Sequence, residues 1–483
     1  MLTFCQPADA LIRWKSSSLF PPCGRPVEVF NVYRFSTCFC FLMAASLQPA
    51  GVHAGDWSQF RGPLGNSALP VLEHPQEWDS AKNVAWKTEI PGGGWSSPVI
   101  AGNRVFVTTS VANGKLRPKS FSEGVSSMRR FFRNARKPIG KISYEVHCLR
   151  LGDGKKIWKK QVIQAQPPHR VHPSNTYATE SPVAVGNRVY AYFATIGVVA
   201  CLDKDGTEIW RRNVGTYATS SGFGTGSSLA YDRGKILLQF DNQQKSFVMA
   251  FDAETGKEIW RVDRSGRTCW SSPLVWKNHL RTELVVCGSG NVVGYDLDSG
   301  TVLWRLNGVG GSFSASPASD AKRIYFGNSG PGRSGPLVAL NAGASGELSL
   351  DSPKSDRGIA WVQKKSGPGL ASPVSDGQIV YVTGRGILNA YDAATGKRVY
   401  RTRLNGASSV ASSPWIAGRQ LFVLGEGGRT SVIRTGPEFQ LIRTNSVKGL
   451  FWSTPSIAGA NLILRSGDSV FCIRPTGSRA GSG

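Results

Sequence analysis

The stretch "FDAETGKEIW" occupies residues 251–260, and variants of it return as "LRLGDGKKIW" at 149–158, "YDLDSGTVLW" at 295–304 and "YDAATGKRVY" at 391–400. Self-similarity of this kind marks a repeat architecture. In each copy an Asp can fold its carboxylate onto nearby backbone N–H groups, and the Gly that follows can take the left-handed conformation closing a tight hairpin. Asp252 with Gly256, Asp296 with Gly300 and Asp392 with Gly396 are placed for this use. The run after the Gly, such as Lys257-Glu258-Ile259-Trp260, reads as an outer strand with its aromatic turned inward. The phrase is a strand–turn–strand corner, which is structure rather than chemistry.

A second marker falls between the corners: Ser-Pro followed by an apolar strand, with weaker copies "SSLA" at 227–230 and "STPSI" at 453–457. Taking the Pro as reference, with Leu229 in the one copy that lacks it, the positions are 98, 182, 229, 273, 317, 373, 414 and 455. The gaps of 84, 47, 44, 44, 56, 41 and 41 residues centre on the length of four short strands plus turns, a propeller blade. Pro suits a strand's first residue because it has no N–H to donate to the ladder. Eight starts face only seven downstream outer strands, near Trp158, Trp210, Trp260, Trp304, Trp361, Tyr400 and Ile442. The eighth outer strand must lie upstream, in "NVAWKTEI" at 83–90 with Trp86. The sequence therefore predicts an all-β, eight-bladed β-propeller of four-stranded antiparallel blades, with the N-terminal strand closing the last blade and leaving no open ring edge.

The Ala-x-Asp-x-x-x-Thr-Gly-Lys-x-x-Trp corner resembles the tryptophan-docking repeat of quinoprotein propellers, the pyrroloquinoline-quinone (PQQ)-like repeat family, over about 83–474. Non-catalytic members include the outer-membrane assembly factor BamB. The leader "DWSQFRGPLGNS" at 56–67 and "VHPSNTYATESPV" at 171–183 are similar to secreted PQQ-like proteins of planctomycete type. The resemblance implies inter-blade docking by Trp86, Trp158, Trp210, Trp260, Trp304 and Trp361. It speaks for a fold more than an activity, because one fold hosts many functions.

Residues 1–54 read as a secretory presequence, with Arg34 ahead of an apolar run at 35–50 and a small-residue site ending at Ala54. A leader follows at 55–82, then the propeller at 83–475 and a polar tail at 476–483. Export to the periplasm or beyond is the expectation. Cys148, Cys201 and Cys472 share one position in their corners, where Ala250 and Ala390 stand elsewhere, and read as small buried hydrophobes. No Cys-x-x-Cys pair or histidine cluster suggests a metal.

The formal net charge is +25. Much of the excess sits in a basic insertion at 112–146, where residues 114–145 hold nine Lys/Arg against two Glu. Met128, Phe131, Phe132 and Ala135 fall at helical spacing, with Arg129, Arg130, Arg133 and Arg136 on the other face. One reading docks the Phe pair on the propeller flank; the other makes the segment an arm for an anionic membrane surface, an acidic glycan or an acidic partner. Export and the lack of a recognition motif argue against nucleic acid.

Catalytic markers are sparse. A quinoprotein dehydrogenase of the resembled family would hold PQQ over a Trp floor with calcium, a carboxylate base and a vicinal disulfide, and no adjacent cysteines occur in the sequence. Glu180 is the one carboxylate directly before a blade start, and a single acid makes no acid/base pair. Ser96, Ser271 and Ser412 repeat with the blades and read as strand-start hydroxyls. The binding candidates are the aromatics before blade starts, Trp95, Trp270, Phe313 and Trp452, together with Glu180 and the insertion arginines. The reading is an exported, monomeric, non-catalytic scaffold that binds an envelope protein or peptide segment and needs no cofactor. The alternatives are a PQQ- and calcium-dependent oxidoreductase and a ligand-sensing propeller.

Overall fold

A computed structural model describes residues 55–113, 140–169, 171–330, 333–351, 358–407 and 409–475. The presequence, the tail, and Arg129, Arg130 and Arg133 of the insertion lie outside the described residues. The described residues of 55–475 fold as eight sheets, each built on four antiparallel strands, and two of these sheets carry a fifth, parallel strand. The first blade comprises Val99–Ala101, Arg104–Ala112, Ile142–Arg150 and Lys156–Ala165. In the eighth, Ser456–Ala458, Asn461–Arg465 and Ser469–Ile473 are completed by Val84–Glu89, in which Trp86 pairs with Cys472. The predicted head-to-tail closure is present.

The corners do what their residues dictate. Asp252 Oδ1 accepts both the N–H and the hydroxyl of Thr255, at 2.8 and 2.6 Å, and Asp392 repeats the pattern with Thr395. Gly256, Gly300 and Gly396 all have φ between +65° and +74°. A Cβ on Gly256 would also sit 2.6 Å from the Trp210 ring, because each corner glycine is the floor on which the preceding blade's indole rests. Trp210 Nε1 donates to Ala253 O at 2.9 Å; Trp86, Trp158, Trp260 and Trp361 dock the same way on Leu151, Lys204, Leu297 and Ala393. The strand register shifts just before the tryptophans, between Glu208 and Trp210 for example. That bulge turns the indole toward the next blade and pushes the preceding residue outward. It explains the exposure of Ile157, Ile209 and Ile259, at 40–43%.

Trp304 packs in a core shared by the fourth and fifth blades, but its hydrogen bond differs from those of the other corner tryptophans. Its indole is fully buried and donates to Glu283 Oε2 of its own blade at 2.6 Å, rather than to the next corner. The cause is an elaborated corner in the fifth blade, where Gly346–Ser349 runs parallel to Val302–Val309 and becomes a fifth strand on the fourth blade. The same elaboration accounts for the 56-residue gap.

Antiparallel connectivity sorts the loops onto two faces. The Asp–Gly corners and the hairpins joining first to second strands share a corner face. The opposite, entry face carries the hairpins joining second to third strands and the loops running into each new blade.

Candidate functional site

The Pro-containing markers meet at the ring axis. The residue before each Pro, or before Leu229 in the one copy that lacks it, donates its backbone N–H to the hydroxyl of its counterpart in the following blade: Ser97 to Ser181, Ser181 to Ser228, Ser228 to Ser272, and Ser272 to Ser316, each at 2.9 Å. The series continues from Ser316 to Ser372, Ser372 to Ser413, Ser413 to Thr454, and Thr454 back to Ser97, at 3.0–3.1 Å. This closed girdle satisfies eight buried N–H groups with no water or partner, and it uses the second small residue of each marker. Ser96, Ser271 and Ser412 stand one position earlier. Ser96 accepts the Thr108 N–H at 3.1 Å and contacts the buried Arg465, Ser271 Oγ donates to Ser272 O at 3.3 Å, and Ser412 Oγ has no partner.

On the corner-face side the axis is stoppered by the leader. Trp57 bridges Ile100 of the first blade, Ser58 O accepts the Ala184 N–H of the second, and Gln59 Oε1 accepts the Tyr231 N–H of the third. The chain then crosses the axis, and Arg61, 1% exposed, donates to Pro317 O and Pro373 O of the fifth and sixth blades. Ala68–Leu69 finally adds a parallel strand to the innermost strand of the seventh blade. Burial lowers the Arg61 guanidinium to about 9. A narrow pocket lined by Arg61, Leu64, Leu229, Pro273 and Pro317 remains between leader and ring. The sequence reading assigned the leader no such role.

Glu180 is fully buried, and neither carboxylate oxygen has a partner at hydrogen-bonding geometry. Burial pushes its carboxyl up to about 7, an effect moderated by the Thr225 hydroxyl and by nearby backbone N–H groups. Tyr144 and Tyr192 are close enough for its charge to raise their own phenols, whose main perturbation is again burial. The Tyr192 hydroxyl and Ser227 Oγ likewise lack partners.

The four aromatics divide. Trp95 is 5% exposed, stacks on Trp452 with centroids 5.4 Å apart and donates Nε1 to Ser174 O at 2.7 Å. Trp452 is half-buried and donates to Glu426 Oε1. Trp270, also half-buried, meets Phe223 edge-on and donates to Gly224 O. Phe313 is a correction: it is wholly buried against Phe326 and offers no binding face. The structure stacks Trp95 on Trp452, and it joins Trp270 to Phe313 through the backbone, the Trp270 N–H donating to Phe313 O at 2.8 Å.

Sequence reasoning missed a buried network in the third and fourth blades. Arg264 Nε donates to Asp241 Oδ1 at 2.9 Å and Nη1 to the Tyr295 hydroxyl at 2.6 Å, while Gln239 donates to Asp241 Oδ2 at 3.1 Å. Asp241 and Arg264 side chains are 0% and 3% exposed. The signal available was weak: an acid ending a strand and an Arg ending another. All five cysteines of the described region are buried and free, and burial raises the thiols of Cys148, Cys201, Cys269 and Cys472 to about 12. Among the described residues no three His, Cys, Asp or Glu side chains converge to hold a metal, and no helix is long and apolar enough to cross a membrane.

With repeat, ring closure and docked corners in place, comparison with known proteins is informative. A PQQ-repeat family model described as "Outer membrane protein assembly factor BamB" matches residues 195–359 and 352–436. The chain belongs to this family. It is 23% identical over 213 residues to outer membrane protein assembly factor BamB of Yersinia pestis, covering 41% of this chain and 50% of that one. It is 28% identical over 167 residues to the lanthanide-dependent methanol dehydrogenase of Methylacidiphilum fumariolicum (strain SolV), covering 31% of this chain and 26% of that one. The chain thus spans about half the length of the BamB relative and a quarter of the dehydrogenase. Among solved structures, quinohemoprotein alcohol dehydrogenase from Comamonas testosteroni superposes with a TM-score of 0.58 over 90% of this chain and 82% of that one, at 12% identity. That likeness is one of fold alone.

Proposed function

We propose that the protein is an exported, non-catalytic propeller scaffold that binds a protein or peptide segment of the bacterial envelope, in the manner its BamB relatives' name suggests. The observation carrying this reading is the state of the ring axis. Eight of its backbone N–H groups are taken up by the hydroxyl girdle, and its corner-face end is filled by the leader and Arg61. What remains for interaction is loop surface and strand edge, where propellers take protein partners. Export rests on the presequence pattern; Trp57, packed at 2% exposure, stands three residues after Ala54. The basic insertion serves as an additional arm toward an anionic partner.

The quinoprotein alternative draws on the dehydrogenase relatives and on the orphaned Glu180 carboxylate. The residues present do not fit PQQ with calcium. Glu180 is closed off from solvent, among the described residues no three His, Cys, Asp or Glu side chains gather to hold a metal, and Trp270 is packed at right angles to Phe223. Chemical cross-linking in envelope extract should trap a defined protein on the chain, and removing residues 115–138 should weaken that capture. Stoichiometric PQQ binding with calcium, accompanied by dye-linked alcohol oxidation, would overturn the scaffold reading.

A further inference from the structure

The charge is not spread evenly over the ring. Residues 361–450 carry twelve Lys/Arg against four acids, Asp376, Asp392, Glu426 and Glu438. Asp376 and Asp392 are tied to turn backbone on the corner face, where Glu438 also lies. Glu426, the sole acid in the described entry-face loops of the fifth to seventh blades, is buried beneath Trp452. Those loops hold Lys364, Lys365, Arg385, Arg403, Arg429 and Lys448, all exposed. None of the six makes an ion pair among the described residues, although Arg385 reaches Gly330 O at 3.4 Å.

The loops are neighbours. Arg429 lies over Gly406, where an added Cβ would be 2.5 Å from its Cδ; Leu404 N–H bonds Gly386 O, and Phe451 N–H bonds Glu426 O. The six cations therefore form one crescent on one face of the ring. Like charges held together without counter-ions disfavour the folded state, so such a crescent is expected where an external anion is met.

We infer that the entry face of the fifth to seventh blades seats on an anionic phospholipid surface. The six cations are spread over three blades on separate loops and strand ends, which suits recognition by summed charge over a broad face. Leu370, 39% exposed, lies on the loop that carries Lys364 and Lys365, and the half-buried Trp452 is on the same loop as Lys448. An aliphatic tip and an indole among basic residues suit the headgroup boundary. A folded acidic protein would instead call for a charge-poor aromatic centre, and single-stranded nucleic acid for exposed stacking rings.

The test is co-sedimentation of the full chain with vesicles of phosphatidylglycerol and phosphatidylcholine, against phosphatidylcholine alone. Joint Lys364→Gln, Lys365→Gln, Arg385→Gln and Arg429→Gln should weaken binding to the anionic vesicles at least about tenfold and flatten its salt dependence, since each basic residue near such a surface is worth ~1 kcal/mol. The matched corner-face set, Lys397→Gln, Arg398→Gln, Arg419→Gln and Arg434→Gln, removes the same charge and should change binding less than about twofold if face rather than net charge matters. A Lys365→Gln, Lys448→Gln pair gives the same reading at lower dose should the quadruple variant fold poorly. Equal losses from both faces, or unchanged binding by the entry-face variants, overturns the inference. So does soluble polyglutamate that binds as tightly as the vesicles, which would point to an acidic polypeptide.

Discussion

The backbone N–H of Thr454 donates to Ser97 Oγ at 3.1 Å across 357 residues of sequence. This one bond turns a row of seven identical contacts into a ring. It is also local evidence of closure, independent of the strand pairing between Trp86 and Cys472.

Ser97→Ala should strand the buried Thr454 N–H and cost about 1–3 kcal/mol of unfolding free energy, the penalty for a buried donor without an acceptor. Ser272→Ala, which orphans Ser228 in mid-ring, should cost a similar amount. Guanidinium titrations of the two variants measure this; losses under ~0.5 kcal/mol would show the girdle to be incidental.

Gly256→Ala sets a methyl into the Trp210 ring and demands positive φ as well, whereas Gly234, at φ +72°, has open space around its missing Cβ. The first change should be the more damaging, approaching the ~3–5 kcal/mol expected for Trp210→Ala, while Gly234→Ala costs only its backbone strain of about 1 kcal/mol. Thermal melts that rank the pair the other way would contradict the docking role of the corner.

Asp241→Ala leaves the Arg264 guanidinium buried with only Tyr295 for company. Breaking a buried pair from one side is expected to cost about 3–5 kcal/mol. Replacing both residues by apolar ones of matching size should recover much of the loss, a double-mutant cycle that separates the pair's own contribution from the penalty of orphaning it.

Glu180 gives stability a pH slope of definite sign. Burial pushes its carboxyl up to about 7 in the folded chain, against about 4.5 for an exposed glutamate, so the native state holds the proton more tightly. Below the lower value both states are protonated and nothing is lost. As pH rises through the window to about 7 the folded state is penalised, by ~3 kcal/mol at most. Glu180→Gln should remove that decline, read as the difference between variant and parent unfolding free energies at pH 4.5 and 7.5. Parallel curves would remove Glu180 from any account of pH response.

Legibility in the sequence followed the range of the interactions. Asp252, Thr255 and Gly256 build their turn within five residues, so the corner was legible, and the spacing of the Pro-type starts carried the blade count; the surplus start then forced Trp86 into the last blade. Trp304 broke the rule because its partner corner is rebuilt around Gly346–Ser349, and nothing in the Trp304 phrase itself records that. The axis was opaque for a different reason. Arg61 acquires its meaning only when Pro317 and Pro373 are brought beside it by ring geometry, 256 and 312 residues away. The marker serines were noticed, but which of two adjacent hydroxyls faces the neighbouring blade depends on strand twist. Phe313 shows the converse, since an aromatic beside glycines reads as exposed until the loop above it is built.

Because Val84–Glu89 finds its partner only in Ser469–Ile473, the opening strand of the ring has no lawful place until almost the whole chain has been synthesised. A nascent polypeptide must carry that strand unpaired while seven blades assemble behind it, and the stopper over the axis can settle only as those blades appear. A product cut short before residue 469 therefore exposes a raw edge at each terminus of an open arc, which invites joining to a second truncated copy and marks the fragment for proteolysis.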